Sequence, residues 1–170
     1  MNFKQRTWKF GDHINTDLIL PGHVMLMPFD EQPKYVFSAN RPGWVNLVTP
    51  GDILVAGRNF GTGSGRPGAR SLREVGITCL VAESINGLFF RNCVNYGLYA
   101  MECPGVTEAF SEGDLAEVDF VDFTVTNSTR GLVLQGTRFP DVLLATIRAG
   151  GIYSLMDEQG LLEEPDPETA

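Results

Sequence analysis

Cysteine is scarce in this chain: Cys79, Cys93 and Cys103 are all there are. They are odd in number, widely spaced and set in apolar surroundings, so they make neither a disulfide framework nor a C-x-x-C metal motif. They read as reduced structural thiols, and an iron–sulfur cluster finds no ligand set among them. Histidine is scarcer still. Neither His13 nor His23 sits with a carboxylate at ligand spacing, and no residue is assigned as a metal ligand. Positive charge is also short, 13 Lys and Arg against 21 Asp and Glu, for a net charge of -8. Phosphate binding needs clustered Lys and Arg, so no nucleic-acid partner is expected. No apolar run approaches the roughly 20 residues of a membrane span. The N-terminus, with Lys4, Arg6 and Lys9, lacks a signal peptide's apolar core. No membrane partner and a cytoplasmic location are therefore expected. Repeats and low-complexity tracts are missing too.

What is present is enough chain for one sizeable core. A single domain is expected over residues 1–156. An acidic tail over 157–170, carrying Glu163, Glu164, Asp166 and Glu168, is expected to fray. Arg6-Thr-Trp-Lys-Phe10 alternates as an edge strand would. The segment from His23 to Trp44 has three prolines and no clean period, a stretch of the kind that is usually functional or mobile. The middle is more regular. A strand over 53–56, a helix over 67–75 closed by Gly76, a strand over 77–82, a helix from 85 capped by Ser84 and stopped at Gly97, and a strand over 98–101 imply parallel pairing. Further on, one strand over 116–126, a polar turn, a hairpin partner over 132–135 and a helix over 140–148 follow. The fold class is α/β, with a parallel core sheet and an antiparallel addition.

The most informative stretch is Gly57-Arg-Asn-Phe-Gly-Thr-Gly-Ser-Gly-Arg-Pro-Gly-Ala69, which sets Ser64 and Arg66 in a glycine-rich loop between a strand and a helix. Its glycines let the backbone approach a ligand, and unpaired N–H groups at the helix start favour an anion. Two other readings stand beside this one. The glycines can make only a tight turn, with Arg66 solvated. Alternatively Gly63-Ser-Gly65-Arg-Pro-Gly68 fits the dinucleotide fingerprint, with Glu83 where a ribose-binding acid would sit. Against the second, residues 57–62 separate the pattern from its strand, and little chain remains for a second nucleotide-binding half.

Three motifs together resemble a known family. Gly11-Asp-His-Ile-Asn-Thr-Asp-Leu-Ile-Leu-Pro-Gly22 is similar to the opening motif of the small subunits of isopropylmalate isomerase, 3-isopropylmalate dehydratase, which are equivalent to the swivel domain of aconitase. Gly57 to Arg66 is similar to that family's active-site loop, G-x-N-F-G-x-G-S-S-R-E. Asn86 to Leu98 is similar to its following helix and turn, and Ala149-Gly-Gly-Ile152 to a later motif. The resemblance implies a swivelling β/β/α layered domain. It also implies a two-chain hydro-lyase of leucine biosynthesis that dehydrates and rehydrates a small 2-hydroxy acid, with its [4Fe-4S] cluster in a large partner subunit. Carried over by position, Ser64 is the catalytic base, Arg66 binds a substrate carboxylate, and Thr16 and Asp17 approach the site from the opening motif. Gly65 replaces the usual second serine, and Pro67 the usual glutamate. A paralogous hydratase for another alkyl-substituted malate therefore stays open, as does a non-catalytic regulatory subunit.

The residue types suit that chemistry. A serine is a poor base in water, so Ser64 would act as an alkoxide stabilised by fixed donors; its plainer role is a helix cap. Arg66 can grip a carboxylate through two parallel N–H bonds, and its plainer role is a surface ion pair with Glu74 or a nearby acid. Asp17 can orient a histidine or arginine, or be an ordinary turn aspartate. His23 can touch substrate. In the family it resembles, the corresponding loop recognises the substrate's γ-substituent, so the resemblance puts Leu26 at that position and implies that the uncharged run Val24-Met-Leu-Met27 walls an alkyl pocket; the alternative is core packing for Met25 and Leu26.

Overall fold

The computed structural model describes residues 2–162. Its strands are β1 (Asn2–Lys9), β2 (Ile53–Ala56), β3 (Cys79–Ala82), β4 (Tyr99–Glu102), β5 (Leu115–Asp119), β6 (Thr124–Asn127) and β7 (Leu132–Gln135). Its helices are α1 (Thr16–Ile19), α2 (Gly68–Val75), α3 (Gly87–Tyr96), α4 (Val106–Ala109), α5 (Asp141–Arg148) and α6 (Ile152–Glu158). The strands form one seven-stranded sheet in the order β4-β3-β2-β1-β5-β6-β7. From β1 through β4 the pairing is parallel, and from β1 through β7 on the other side it is antiparallel. Parallel core and antiparallel addition are both as expected.

β2 and β3 are apolar at every position because both faces are covered. Leu54, Ala56, Leu80 and Ala82 pack with Ala69 and Leu72 of α2 and Phe89 and Cys93 of α3. The alternate side chains, Ile53, Val55, Cys79 and Val81, share a second core with Val118 of β5, Val125 of β6 and Leu144 and Ile147 of α5. One sheet thus folds over itself, and its two halves enclose a common interior. Among the described residues no helix is long and apolar enough to cross a membrane.

Several expectations need correction. β1 is central, flanked by β2 and β5, and is not an edge. The single strand expected over 116–126 is two, β5 and β6, because the chain turns at 120–123 with Phe123 at φ 56° and both Phe120 and Phe123 buried. Asn86, not Ser84, caps α3, accepting from the Leu88 N–H at 3.0 Å. The irregular segment 23–44 contains short 3₁₀ turns and closes the first core, burying Val24, Val36, Phe37 and Trp44. Phe37 stacks on Phe10 at 4.1 Å between ring centroids. The expected tail starts inside α6, and its portion over 163–170 lies outside the described residues.

Asp52, just before β2, is buried and ties this frame to β1. Its Oδ2 accepts from the Trp8 indole and from Arg6, both at 2.7 Å, and from the Thr49 N–H at 2.9 Å. Asp52→Ala strands the buried Trp8 indole N–H and takes the carboxylate from the partly exposed Arg6, and should destabilise the fold by about 1–3 kcal/mol. A denaturant titration checks this: the midpoint should fall with an unchanged slope.

Candidate active site

The parallel strands end on one side of the sheet, and there the chain continues to pair after leaving them. Gly57 N–H donates to the Gly11 carbonyl at 3.1 Å, His13 N–H to Arg58 at 2.7 Å, Gly61 N–H to Ile14 at 2.7 Å and Thr16 N–H to Thr62 at 2.8 Å. On the far side Phe60 and Asn86 exchange bonds with Ser84 and Phe60 carbonyls at 3.0 and 2.8 Å. The opening motif, the glycine-rich loop and the approach to α3 thus form a ribbon beyond the carboxyl ends of β1, β2 and β3, where open α/β sheets place ligands.

The ribbon brings Thr16, Asp17, Ser64 and Arg66 together. Thr16 is buried, and its hydroxyl accepts the Ser64 N–H at 3.1 Å. Ser64 itself is exposed, and its hydroxyl makes no hydrogen bond among the described residues. The capping alternative for Ser64 fails: α2 starts at Gly68, Pro67 precedes it without a side-chain cap, and Asn92 Oδ1 accepts the Ala69 N–H at 3.1 Å. Arg66 pairs with Asp17, Nη1 to Oδ1 at 2.5 Å, and also donates to the Leu20 carbonyl at 3.1 Å. Glu74 instead pairs with Arg70 at 2.7 Å. The ion pair open to Arg66 as its plainer role is therefore made, with Asp17 as the nearby acid in place of Glu74.

Two expectations about the loop are corrected. The first two donors of α2 are already taken, since Gly68 N–H bonds the Arg66 carbonyl at 2.7 Å and Ala69 N–H bonds Asn92. The dinucleotide reading also loses its acid. Glu83 accepts from Gly105 N–H, Thr107 N–H and the Thr107 hydroxyl at 2.8, 2.9 and 2.6 Å, and these bonds hold its carboxyl below the usual range despite the opposing effect of burial.

The glycines of the loop are not equivalent. Gly63 has φ +120°, and a Cβ there would stand 2.5 Å from Thr16 Oγ1. Gly65 has no such constraint, and its nearest neighbour would be Leu88 Cδ2 at 3.9 Å. A small side chain fits at Gly65, so the departure from the family's serine changes the surface and not the backbone. Gly65 also borders a cleft of about 350 Å³ with Leu88, Arg91, Asn95 and Tyr153.

The 3₁₀ turn Gly22–Leu26 follows directly, with His23 exposed and its ring 6.1 Å from that of Tyr35. Leu26 is 92% exposed, which removes core packing for it, whereas Met25 packs against the core. No motif or spacing points to the His13–Asn59 contact, 3.2 Å between Nδ1 and Nδ2, made with both residues at positive φ. Asn92 was also missed as a cap, although it lies inside the third motif.

Residues 30–105 match the Aconitase C-terminal domain family. The isopropylmalate/citramalate isomerase small subunit of Methanocaldococcus jannaschii is 40% identical over 92% of this chain and 94% of its own length. The chain belongs to the 3-isopropylmalate dehydratase small-subunit family. A second member, the 3-isopropylmalate dehydratase small subunit of Halothermothrix orenii, is 36% identical over 89% of this chain and 93% of its own length. The family fold is matched too. The crystal structure of 3-isopropylmalate dehydratase from Methanocaldococcus jannaschii superposes with a TM-score of 0.86 at 28% identity, covering 95% of this chain and 96% of that one.

Gly63→Ala forces a strained φ against Thr16 and should cost roughly 1–3 kcal/mol. Gly65→Ser should stay within about 0.5 kcal/mol of the parent. Thermal melts of both variants check the contrast, and equal losses would contradict the geometry of the loop.

Proposed function

We propose that this chain is the small subunit of a two-chain hydro-lyase that isomerises 3-isopropylmalate by dehydration and rehydration. Family membership gives the reaction class. The observation that carries the site assignment is the pairing of an exposed, unbonded Ser64 hydroxyl with a fixed Arg66 beside the same ribbon. Arg66 grips a substrate carboxylate and so sets the C–H bond within reach of Ser64. Ser64, as the alkoxide, takes that proton. The C–H electron pair becomes the new C=C bond as hydroxide leaves on the partner's side of the site. Thr16 holds the Ser64 backbone from beneath, while Gly65, His23 and Leu26 line the approach of the substrate's remaining groups.

The [4Fe-4S] cluster that the resemblance implies does not fit the thiols of this chain. All three are buried and free, and desolvation pushes Cys103 up to about 11 and the other two further, so they stay protonated and poor ligands. Among the described residues no group of three His, Cys, Asp or Glu could hold a metal. The cluster belongs in this reading to the large subunit.

One observation favours a second substrate within the same chemistry. Gly65 leaves open the space of a serine, and the relative from Methanocaldococcus jannaschii is named for both isopropylmalate and citramalate. An apolar Leu26 wall separates alkyl groups by only about 1–3 kcal/mol per methylene, so a methyl-bearing malate is accepted alongside isopropyl.

Two measurements test these roles in complex with a cluster-bearing large subunit. Ser64→Ala should cut kcat by about 10²–10⁴ with little change in substrate binding; near-normal turnover would remove Ser64 from the chemistry. Leu26→Arg should raise kcat/KM for a substrate with a carboxylate in place of the alkyl group and lower it for 3-isopropylmalate. An unchanged ratio would take Leu26 out of the pocket.

A further inference from the structure

Arg66 does not swing freely. Its Nη1 is held twice, by Asp17 Oδ1 at 2.5 Å and by the Leu20 carbonyl at 3.1 Å. Its Nη2 lies against Gly22, 3.4 Å from where a Cβ would stand. The guanidinium is planar with donors in a fixed fork, so two bonds at Nη1 set the orientation of the whole plane. The edge they leave uncommitted is the one formed by Nε and Nη2, which can take both oxygens of a carboxylate.

We propose that Asp17 is a positioning residue that presents this edge, and that it does not itself touch substrate; the inference rests on Arg66 gripping a substrate carboxylate. The two partners are unequally placed, with the Asp17 side chain 65% exposed and that of Arg66 19% exposed. An exposed ion pair is usually worth little because both side chains must be ordered to form it. Here much of that ordering is supplied by the backbone. Asp17 sits in α1, which Asn15 caps through the Leu18 N–H at 2.9 Å, and Leu20 N–H bonds the Thr16 carbonyl at 2.9 Å. Both acceptors of Nη1 are therefore held by the same short helix that holds Ser64 through Thr16. Asp17 also cannot stand as a free negative charge against an incoming carboxylate while its own charge is spent on Arg66.

Nitrogen-15 NMR of the arginine side chains in the full chain reads the positioning directly. In the parent, rotation of the Arg66 guanidinium should be restrained, with separate Nη signals; in Asp17→Asn they should merge. Merged signals in the parent, or an unaltered spectrum in the variant, overturn the proposal. Kinetics of the complex with the large subunit then read its consequence. Asp17→Asn should raise KM about tenfold or more with a smaller change in kcat, and Asp17→Glu should recover part of the loss. Combined with Arg66→Lys, Asp17→Asn should add almost nothing, because both act through one group. Additive losses, or a KM indifferent to Asp17→Asn, overturn it. If Arg66→Lys alone leaves KM unchanged while the NMR signature is as expected, the proposal falls through its premise, the carboxylate grip, and the Asp17–Arg66 geometry stands.

Discussion

After Lys9 and Ala56 the chain has left β1 and β2, yet the backbones of 11–16 and 57–62 go on bonding to one another. That continuation is what the site depends on. A loop of this length with so many glycines has few side chains to pin it, and unpaired backbone groups beside a core would be costly. Pairing it to the opening motif on one side and to 84–86 on the other meets both needs. It also fixes which side chains come together, since the rung from Thr16 N–H to the Thr62 carbonyl sets the Thr16 hydroxyl where it accepts the Ser64 N–H. Ser64 is held through that hydroxyl, and Arg66 through Asp17 and the Leu20 carbonyl.

A helix terminus offers backbone donors aligned by the helix itself. At the start of α2 the first two of them are used internally, by the Arg66 carbonyl and by Asn92. The positive charge beside the loop is carried on one guanidinium at the end of a flexible stem, and that stem is held by Asp17 and the Leu20 carbonyl. Buried Thr16 and the short helix that follows it supply that hold at little conformational cost, since both are already part of the core.

Elements with local punctuation were legible in the sequence. β2 has its expected ends, Gly76 and Gly97 both close helices in the left-handed conformation, and β7 lies where the hairpin required it. The departures arise where distant residues decide. Ser84 looked like a cap, but its hydroxyl and carbonyl serve Asn59 and Phe60 of the loop, leaving the cap to Asn86. The strand over 116–126 broke because Asp119 accepts from the N–H groups of Val121 and Asp122, a local turn hidden within an alternating apolar pattern. At the site, Ser64 and Arg66 were readable from their motif and loop chemistry. That Arg66 would turn to Asp17 rather than Glu74 depends on the ribbon, which no periodicity encodes.

β1 precedes the other strands of the sheet in the sequence and ends in its middle, with β2 on one side and β5 on the other. Its bond to β5 brings together positions as far apart as Asn2 and Glu117, 115 residues along the chain. Such pairs form late, because the entropy of closing the intervening loop is spent before any contact rewards it. On a chain emerging from the ribosome, β1 therefore waits with one flank bare until Asp119 has followed. Charged and polar residues blunt a bare flank against wrong partners. Lys4, Gln5 and Arg6 lie on that side's register with Glu117, Ala116 and Leu115. The edge-like alternation of this segment thus suits a strand that is covered on this side only by a partner far along the chain.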